Sequence, residues 1–102
     1  MIAPTVGRIV WYRPSSDEEI PKQADGQPLA AIVAMVWPGG GMVNLSVFDA
    51  NGFSRPRSKV PLVQENNEAP SGSYCEWMPY QKGQAAKTEA LEAALKKESS
   101  NG

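Results

Sequence analysis

Apolar residues recur in five short runs over the first 80 residues, and segments rich in glycine, proline and polar side chains separate them. β-Branched and aromatic residues dominate these runs, which is typical of β-strands. The predicted strands are Val6–Tyr12, Leu29–Trp37, Met42–Asp49, Phe53–Val63 and Ser73–Tyr80. The pattern therefore predicts a mainly β domain over residues 1–80.

The second predicted strand is apolar on both faces. With a period of two, one face carries Ala31, Val33, Met35 and Trp37, and the other Ala30, Ile32, Ala34 and Val36. A helix is the competing interpretation, because Ala and Met favour helices, but nine residues before a Pro-Gly-Gly-Gly turn are short for one. A strand of this kind is buried on both faces, or one face meets a partner.

The connections between the runs differ in length. Residues 13–28 form a polar loop in which Ile20 is the one large apolar side chain, so we expect Ile20 to pin the loop to the domain. Asn51-Gly52 predicts a tight turn. Pro56 and Pro61 interrupt the fourth run, which suits an edge strand.

The composition changes after Gln84. Residues 85–97 are rich in Ala, Glu, Lys and Leu and predict a helix, with only a narrow apolar stripe of Thr88, Leu91 and Leu95. The last four residues predict a frayed end. The predicted organisation is thus a β-domain over residues 1–80 and a helix with a frayed tail over 81–102.

Five short strands in this order are most economically arranged as a small five-stranded barrel or curled sheet. The long first loop, the Gly-rich second turn and the Asn-Gly third turn resemble an SH3-like barrel. The resemblance is architectural. The Ala-Leu-Tyr-Asp-Tyr run and paired tryptophans of peptide-binding SH3 domains are absent, so it does not imply a polyproline groove.

Residues 5–12, Thr-Val-Gly-Arg-Ile-Val-Trp-Tyr, carry a second resemblance. They are similar to the opening Thr-Val-Gly-Arg-Ile-Val-His-Tyr of a family of small proteins encoded by tailed bacteriophages and prophages. The Asp-x-Asn-Gly turn at residues 49–52 follows the same order, and Trp11 departs from the usual His. The resemblance implies a phage or prophage source and no particular activity.

The composition excludes several kinds of chemistry. The chain has no histidine, so it cannot build a Ser-His-Asp triad or an imidazole metal site. Its one cysteine, Cys75, excludes an internal disulfide, and we expect it to be an inert buried thiol. The net charge of −1 gives no general attraction to nucleic acid. We therefore expect a protein that is not an enzyme, with no cofactor and no bound metal.

Two clusters of charge are candidate sites. Arg55, Arg57 and Lys59 recur at every second residue, which in an extended chain places three cations on one face, and Phe53 could stack beside them on a base. The alternative is an edge strand that uses charge to block unwanted pairing. The acidic run Asp17–Glu19 is expected to be solvated surface.

Large aromatic side chains exceed what a small core can bury. We expect some of them to form an interface, and the candidates are Trp11, Trp37, Tyr12 and Trp77. Because the second strand is apolar on both faces, we expect a homodimer or larger ring, anchored at Trp11 and Trp37.

These observations lead to one main functional hypothesis and two alternatives. The main one is a non-enzymatic phage accessory protein that binds a host protein or sequesters a small anionic ligand such as a nucleotide. The alternatives are a virion or tail component assembled as a homo-oligomer, and a nucleic-acid-binding barrel. The chain shows no basic leader and no apolar run of about 20 residues, so we expect the host cytoplasm, or the virion for the structural alternative, and no membrane.

Overall fold

Five strands and one helix make up the protein. The computed structural model describes residues 2–64 and 68–100, the side chains of residues 85, 86 and 92–100 excepted. In chain order the elements are β1 (Ile9–Arg13), β2 (Leu29–Val36), β3 (Met42–Phe48), β4 (Ser54–Val63), β5 (Tyr74–Glu76) and α1 (Pro79–Ser100). The predicted mainly β fold with a C-terminal helix is confirmed.

The strands close into a barrel in the order β1-β2-β3-β4-β5. The neighbours from β1 to β4 are antiparallel, β5 pairs antiparallel with β1, and β4 pairs with β5 in parallel. The prediction of β4 as an edge strand is wrong for its second half, because Leu62 and Val63 pair with β5. Arg55 and Arg57, in the first half of β4, pair with Val47 and Leu45 of β3.

The core fills the inside of this barrel. Its buried apolar members are Val10, Tyr12, Ile20, Leu29, Ala31, Val33, Val43, Leu45, Val47, Val60, Leu62, Cys75 and Trp77. β3 buries every second residue, with Val43, Leu45 and Val47 inside, as the spacing of its apolar residues indicates. Ile20 is 6% exposed, so the long loop is pinned to the barrel as predicted.

Two bulges interrupt the alternation beside the same residue of β3. The register shifts between Val33 and Met35 in the β2–β3 pair, and between Val43 and Leu45 in the β3–β4 pair. The first bulge turns Met35 outward, 41% exposed, and brings Val36 against the core. The predicted face of Ala31, Val33, Met35 and Trp37 is therefore wrong after Val33, because one extra residue moves the following side chains to the other face.

Several predicted boundaries also differ. β1 begins at Ile9 rather than Val6, because Gly7 adopts a φ of 92° just before it. β5 has three residues, and the chain then enters α1 at Pro79, where a proline suits the first turn of a helix. α1 thus starts six residues before the predicted Ala85 and runs through Ser100, so Ser99 and Ser100 are helical. Residues 101–102 of the predicted frayed end lie outside the described residues.

α1 touches the barrel at its first turn. The Gln81 side chain donates from Nε2 to the Ile9 carbonyl at 2.9 Å and accepts at Oε1 from the Met78 N–H at 2.9 Å. Thr88 and Leu91 of the predicted apolar stripe are exposed, and the side chain of Leu95 lies outside the described residues. In the described part of the chain, no helix is long and apolar enough to cross a membrane.

Candidate functional site

Glu18 is the centre of a polar network at one end of the barrel. Its Oε1 accepts hydrogen bonds from the Tyr12 hydroxyl, at 2.6 Å, and from the Ser73 hydroxyl. Its Oε2 receives Arg57 Nε at 2.8 Å. The Ser73 oxygen also accepts the Ser15 N–H at 2.8 Å. This network fastens the long loop to β1, β4 and the segment before β5.

The network sets the ionisation of its members. Burial opposes ionisation of Glu18, but the hydrogen bonds from Ser73, Tyr12 and Arg57 outweigh it, so the pKa of Glu18 is lowered. Burial and the neighbouring Glu18 carboxylate raise the pKa of Tyr12. The prediction that Asp17–Glu19 is solvated surface holds for Asp17 and Glu19, which are exposed, and is wrong for Glu18.

The predicted cation row is not a row in the structure. Arg55 Nε pairs with Asp49 Oδ2 at 2.8 Å and Arg57 pairs with Glu18, so carboxylates of the same chain neutralise both arginines. Lys59 leaves their face because it sits in the β3–β4 bulge with a φ of 51°. Phe53 lies beside the turn, 69% exposed. The three cations therefore do not form the shared anion site that their spacing predicts.

Asp49 organises the turn between β3 and β4. The residue is 4% exposed, and its Oδ1 accepts the N–H groups of Asn51 and Phe53 at 2.9 and 3.1 Å. The hydrogen bond from Arg55, together with these N–H groups, lowers the pKa of Asp49. The Ala50 N–H donates to the Pro21 carbonyl at 3.0 Å, which joins this turn to the long loop. The role of Asp49 is structural, and it is the reason that Arg55 is held in place.

Asn44 is the centre of a second cluster of side chains, on the outside of the barrel. Its Oδ1 accepts Trp37 Nε1 at 2.8 Å and the Lys59 N–H at 2.9 Å, and its Nδ2 lies 3.5 Å from Met35 Sδ. The Lys59 ammonium stands 5.1 Å from the centre of the Trp37 ring. The two bulges flank Asn44, so backbone irregularity, which a strand pattern does not reveal, assembles this cluster.

The four predicted interface aromatics divide into two pairs. Tyr12 and Trp77 are 2% and 1% exposed and belong to the core, so their prediction as interface residues is wrong. Successive residues of an extended chain point to opposite sides. Tyr12 therefore points inward between Trp11 and Arg13 of β1, and Trp77 points inward just after β5. Trp11 and Trp37 are partly exposed, and Arg13 stands 5.8 Å above the Trp11 ring. These two remain available for contacts.

The outer face of β1, β2 and β3 carries an apolar surface that we call the outer band. Its members are Ile9, Trp11, Ile32, Met35, Trp37 and Met42. Ile9 lies opposite Ile32, and Trp11 lies opposite Ala30. Ala30 and Trp37 are seven positions apart along one chain segment, so the two tryptophans mark opposite ends of the band. The members at 36% to 46% exposure are Ile9, Ile32, Met35 and Met42.

The remaining reactive groups give little chemistry. Cys75 is fully buried, and desolvation raises its pKa to about 12, which makes the thiol unreactive as predicted. In the stretches that the structure covers, no group of three or more acidic or cysteine side chains could hold a metal ion. The indole N–H of Trp77 is buried without a hydrogen-bond acceptor.

Sequence reasoning missed the Glu18 network and the Asn44 cluster. The one sequence signal for the first was Ile20, which indicated that the loop lies against the barrel. Comparisons with protein families, with curated proteins and with solved structures found no match for this chain.

Proposed function

We propose that this chain is a non-enzymatic binding protein that docks another protein on the outer band. The observation that carries the proposal is that four large apolar side chains on three neighbouring strands are exposed between two partly exposed tryptophans. Exposed apolar patches of this kind on a folded domain mark interaction sites. Tryptophan is also the residue type that most often dominates the binding energy of an interface.

The chemistry of the band suits a protein partner. β1, β2 and β3 contain no carboxylate, and their single cation, Arg13, is paired with Glu76 at 2.7 Å. Met35 and Met42 are flexible and polarisable, which lets a surface adapt to the shape of its partner. Charge lies at the two ends of the band, where Lys59 stands over Trp37 and Arg13 stands over Trp11. An adaptable apolar face between aromatic anchors is typical of the centre of a protein–protein interface.

The alternative partner in the main hypothesis, a small anion at the predicted cation row, has less support. An anion at Arg55 or Arg57 would compete with Asp49 or Glu18 for the guanidinium group. The protein partner is therefore the form of the hypothesis that we retain. With the resemblance of residues 5–12 to phage proteins, that partner would be a host protein.

A second candidate is self-association through the same band, as in a virion or tail component. The middle of the band favours it, because Ile9, Ile32 and Met35 are apolar and two copies can pack there without like-charge repulsion. A homo-oligomer and a host-protein complex would use the same residues, so one experiment can separate them.

The test uses a photoreactive side chain placed at Ile32 in the full chain, in cells that express it. We expect one discrete crosslinked product, and its mass distinguishes a second copy from a different protein. Phe53 is the matched control position, because it is an exposed apolar residue outside the band. Met35→Glu should abolish the product, since a buried unpaired carboxylate is costly.

Sedimentation of the purified chain completes the test. A concentration-dependent dimer that Ile32→Glu dissociates and Phe53→Glu does not would establish self-association. A monomer together with a discrete heterologous crosslink would establish a protein partner. A monomer with no crosslink from Ile32, or with equal crosslinking from Phe53, would contradict both candidates.

A further inference from the structure

A shallow groove of about 140 Å³ lies between the end of β1 and the second half of the long loop. Pro14 and Pro28 contribute rigid apolar walls, and Gln23 and Gln27 contribute amide side chains. The groove exists because the Glu18 network and Ile20 hold the loop against the barrel. None of its lining residues belongs to the outer band or to the predicted cation row.

The charged groups of the groove are both cations. Arg13 and Lys22 line it, and none of its seven lining residues carries a carboxylate. The Nε of Arg13 donates a hydrogen bond to Glu76 Oε2, and this ion pair neutralises Arg13. The Lys22 ammonium hydrogen-bonds to the Glu18 carbonyl, which is a neutral acceptor. Asp25 lies between the lining residues Gln23 and Gly26 in the sequence, and its carboxylate accepts a hydrogen bond from the Gln27 N–H at 3.3 Å. The hydrogen bond from the Ser15 hydroxyl and, to a smaller extent, the charge of Lys22 lower the pKa of Asp17, so this carboxylate offsets part of the positive charge at Lys22.

The size of the groove limits what it can accept. About 140 Å³ is below the range of a typical drug-sized site, so a nucleotide does not fit inside it. A ligand of about six heavy atoms fits, provided that it presents negative charge to Lys22 and an apolar body to the prolines. The Gln23 and Gln27 amides can donate further hydrogen bonds to an oxyanion.

We infer that this groove is a binding site for a small carboxylate with a short apolar body, whose charge Lys22 recognises beside the two prolines. The carboxylate is favoured over phosphate because two prolines line the site, and phosphate has no apolar body to place against them. The inference is independent of the protein docking proposed for the outer band.

The test is a titration of the isotope-labelled full chain, followed by the NMR shifts of its backbone amides. The probes are butyrate, its neutral isostere butyramide, and inorganic phosphate. We expect butyrate to shift the amides of Gln23, Gly26 and Gln27 with a Kd on the order of 1 mM, as suits so small a ligand. Butyramide should leave them in place, and phosphate should bind more weakly.

Substitution of the recognising cation completes the test. Lys22→Gln should weaken butyrate binding about tenfold, which corresponds to the loss of one charged contact. Lys22→Arg should restore it, and Lys59→Gln, which removes a cation elsewhere, should have no effect. Equal shifts with butyramide, unchanged affinity in Lys22→Gln, tighter binding of phosphate, or no shifts at the groove up to about 100 mM butyrate would each overturn the inference.

Discussion

The Tyr12 hydroxyl donates a hydrogen bond of 2.6 Å to Glu18 Oε1, and this contact joins a core residue of β1 to the long loop. Tyr12 is 2% exposed, so its ring belongs to the barrel while its hydroxyl reaches the loop. Because Arg57 binds the other carboxylate oxygen, Glu18 connects three parts of the chain. The position of the loop beside the groove depends on this carboxylate together with the buried Ile20.

Replacement of Glu18 by Gln should lower the free energy of unfolding by about 2 kcal/mol, because hydrogen bonds to a charged group contribute more than neutral ones and Arg57 loses its partner. Urea denaturation at pH 7 measures this loss. Glu19→Gln is the matched control, since Glu19 is exposed, and should change the value by less than about 0.5 kcal/mol. Equal effects of the two substitutions would contradict the role of Glu18.

Stability should decrease in acid. The folded-state pKa values of Glu18 and Asp49 lie below their ordinary values, so these carboxylates stabilise the fold above the unfolded-state pKa. That stabilisation is lost as the pH falls through the folded-state pKa of each group. The urea concentration at the midpoint of unfolding, measured from pH 7 down to pH 2, should therefore begin to decrease once the pH is lower than about 5. Glu18→Gln should flatten this fall, and an unchanged slope in that variant would assign the acid sensitivity to other groups.

The backbone conformation of Lys59 predicts that glycine is the more stable replacement there and alanine the less stable one, the reverse of the order in a regular strand. In the left-handed region a residue with a Cβ costs roughly 1 kcal/mol relative to glycine, whereas glycine inside a regular strand is destabilising. Both Lys59→Gly and Lys59→Ala lose the contact of the ammonium with Trp37. We expect Lys59→Gly to be the more stable of the two by about 1 kcal/mol, measured by thermal unfolding. The opposite order would show that Lys59 does not hold a φ of 51° in solution.

Cys75 should resist thiol reagents in the folded protein. Its pKa of about 12 leaves almost no thiolate at pH 8, and the side chain is buried. We expect an aromatic disulfide reagent at pH 8 to modify it only at the rate of unfolding, and rapidly in concentrated urea. Fast modification without denaturant would contradict the buried position on β5.

Removal of residues 84–102 should leave the barrel folded. The hydrogen bond from α1 to the Ile9 carbonyl of β1 comes from Gln81, which the truncated chain keeps, and the described side chains from Gln84 to Leu91 are exposed. The midpoint of urea denaturation should change little. A truncated chain that is insoluble or loses its near-ultraviolet dichroism would show that the rest of α1 supports the barrel or an interface.

The alternation of apolar residues was sufficient to predict most of the strands, because one buried face imposes a period of two. β3 shows this most clearly, with Val43, Leu45 and Val47 inside the barrel as their spacing indicates. Ile20 was identifiable as an anchor for a related reason, since a lone large apolar side chain in a polar loop gains most by burial. The helix was identifiable from composition, although its first turn was not, because Pro79 and Tyr80 resemble the end of a strand.

The sequence by itself determined the number and order of the secondary elements, the absence of histidine chemistry and the surplus of aromatic side chains. Only the tertiary structure decided which charges meet: Arg57 pairs with Glu18, 39 residues away in the chain, and a spacing pattern contains no information about such a partner. It also decided the position of Lys59, because a bulge adds one residue to one strand and moves the side chains after it to the other face. Local periodicity fixes which side of a strand a residue occupies until such an irregularity occurs, and the contacts across the barrel then determine the site.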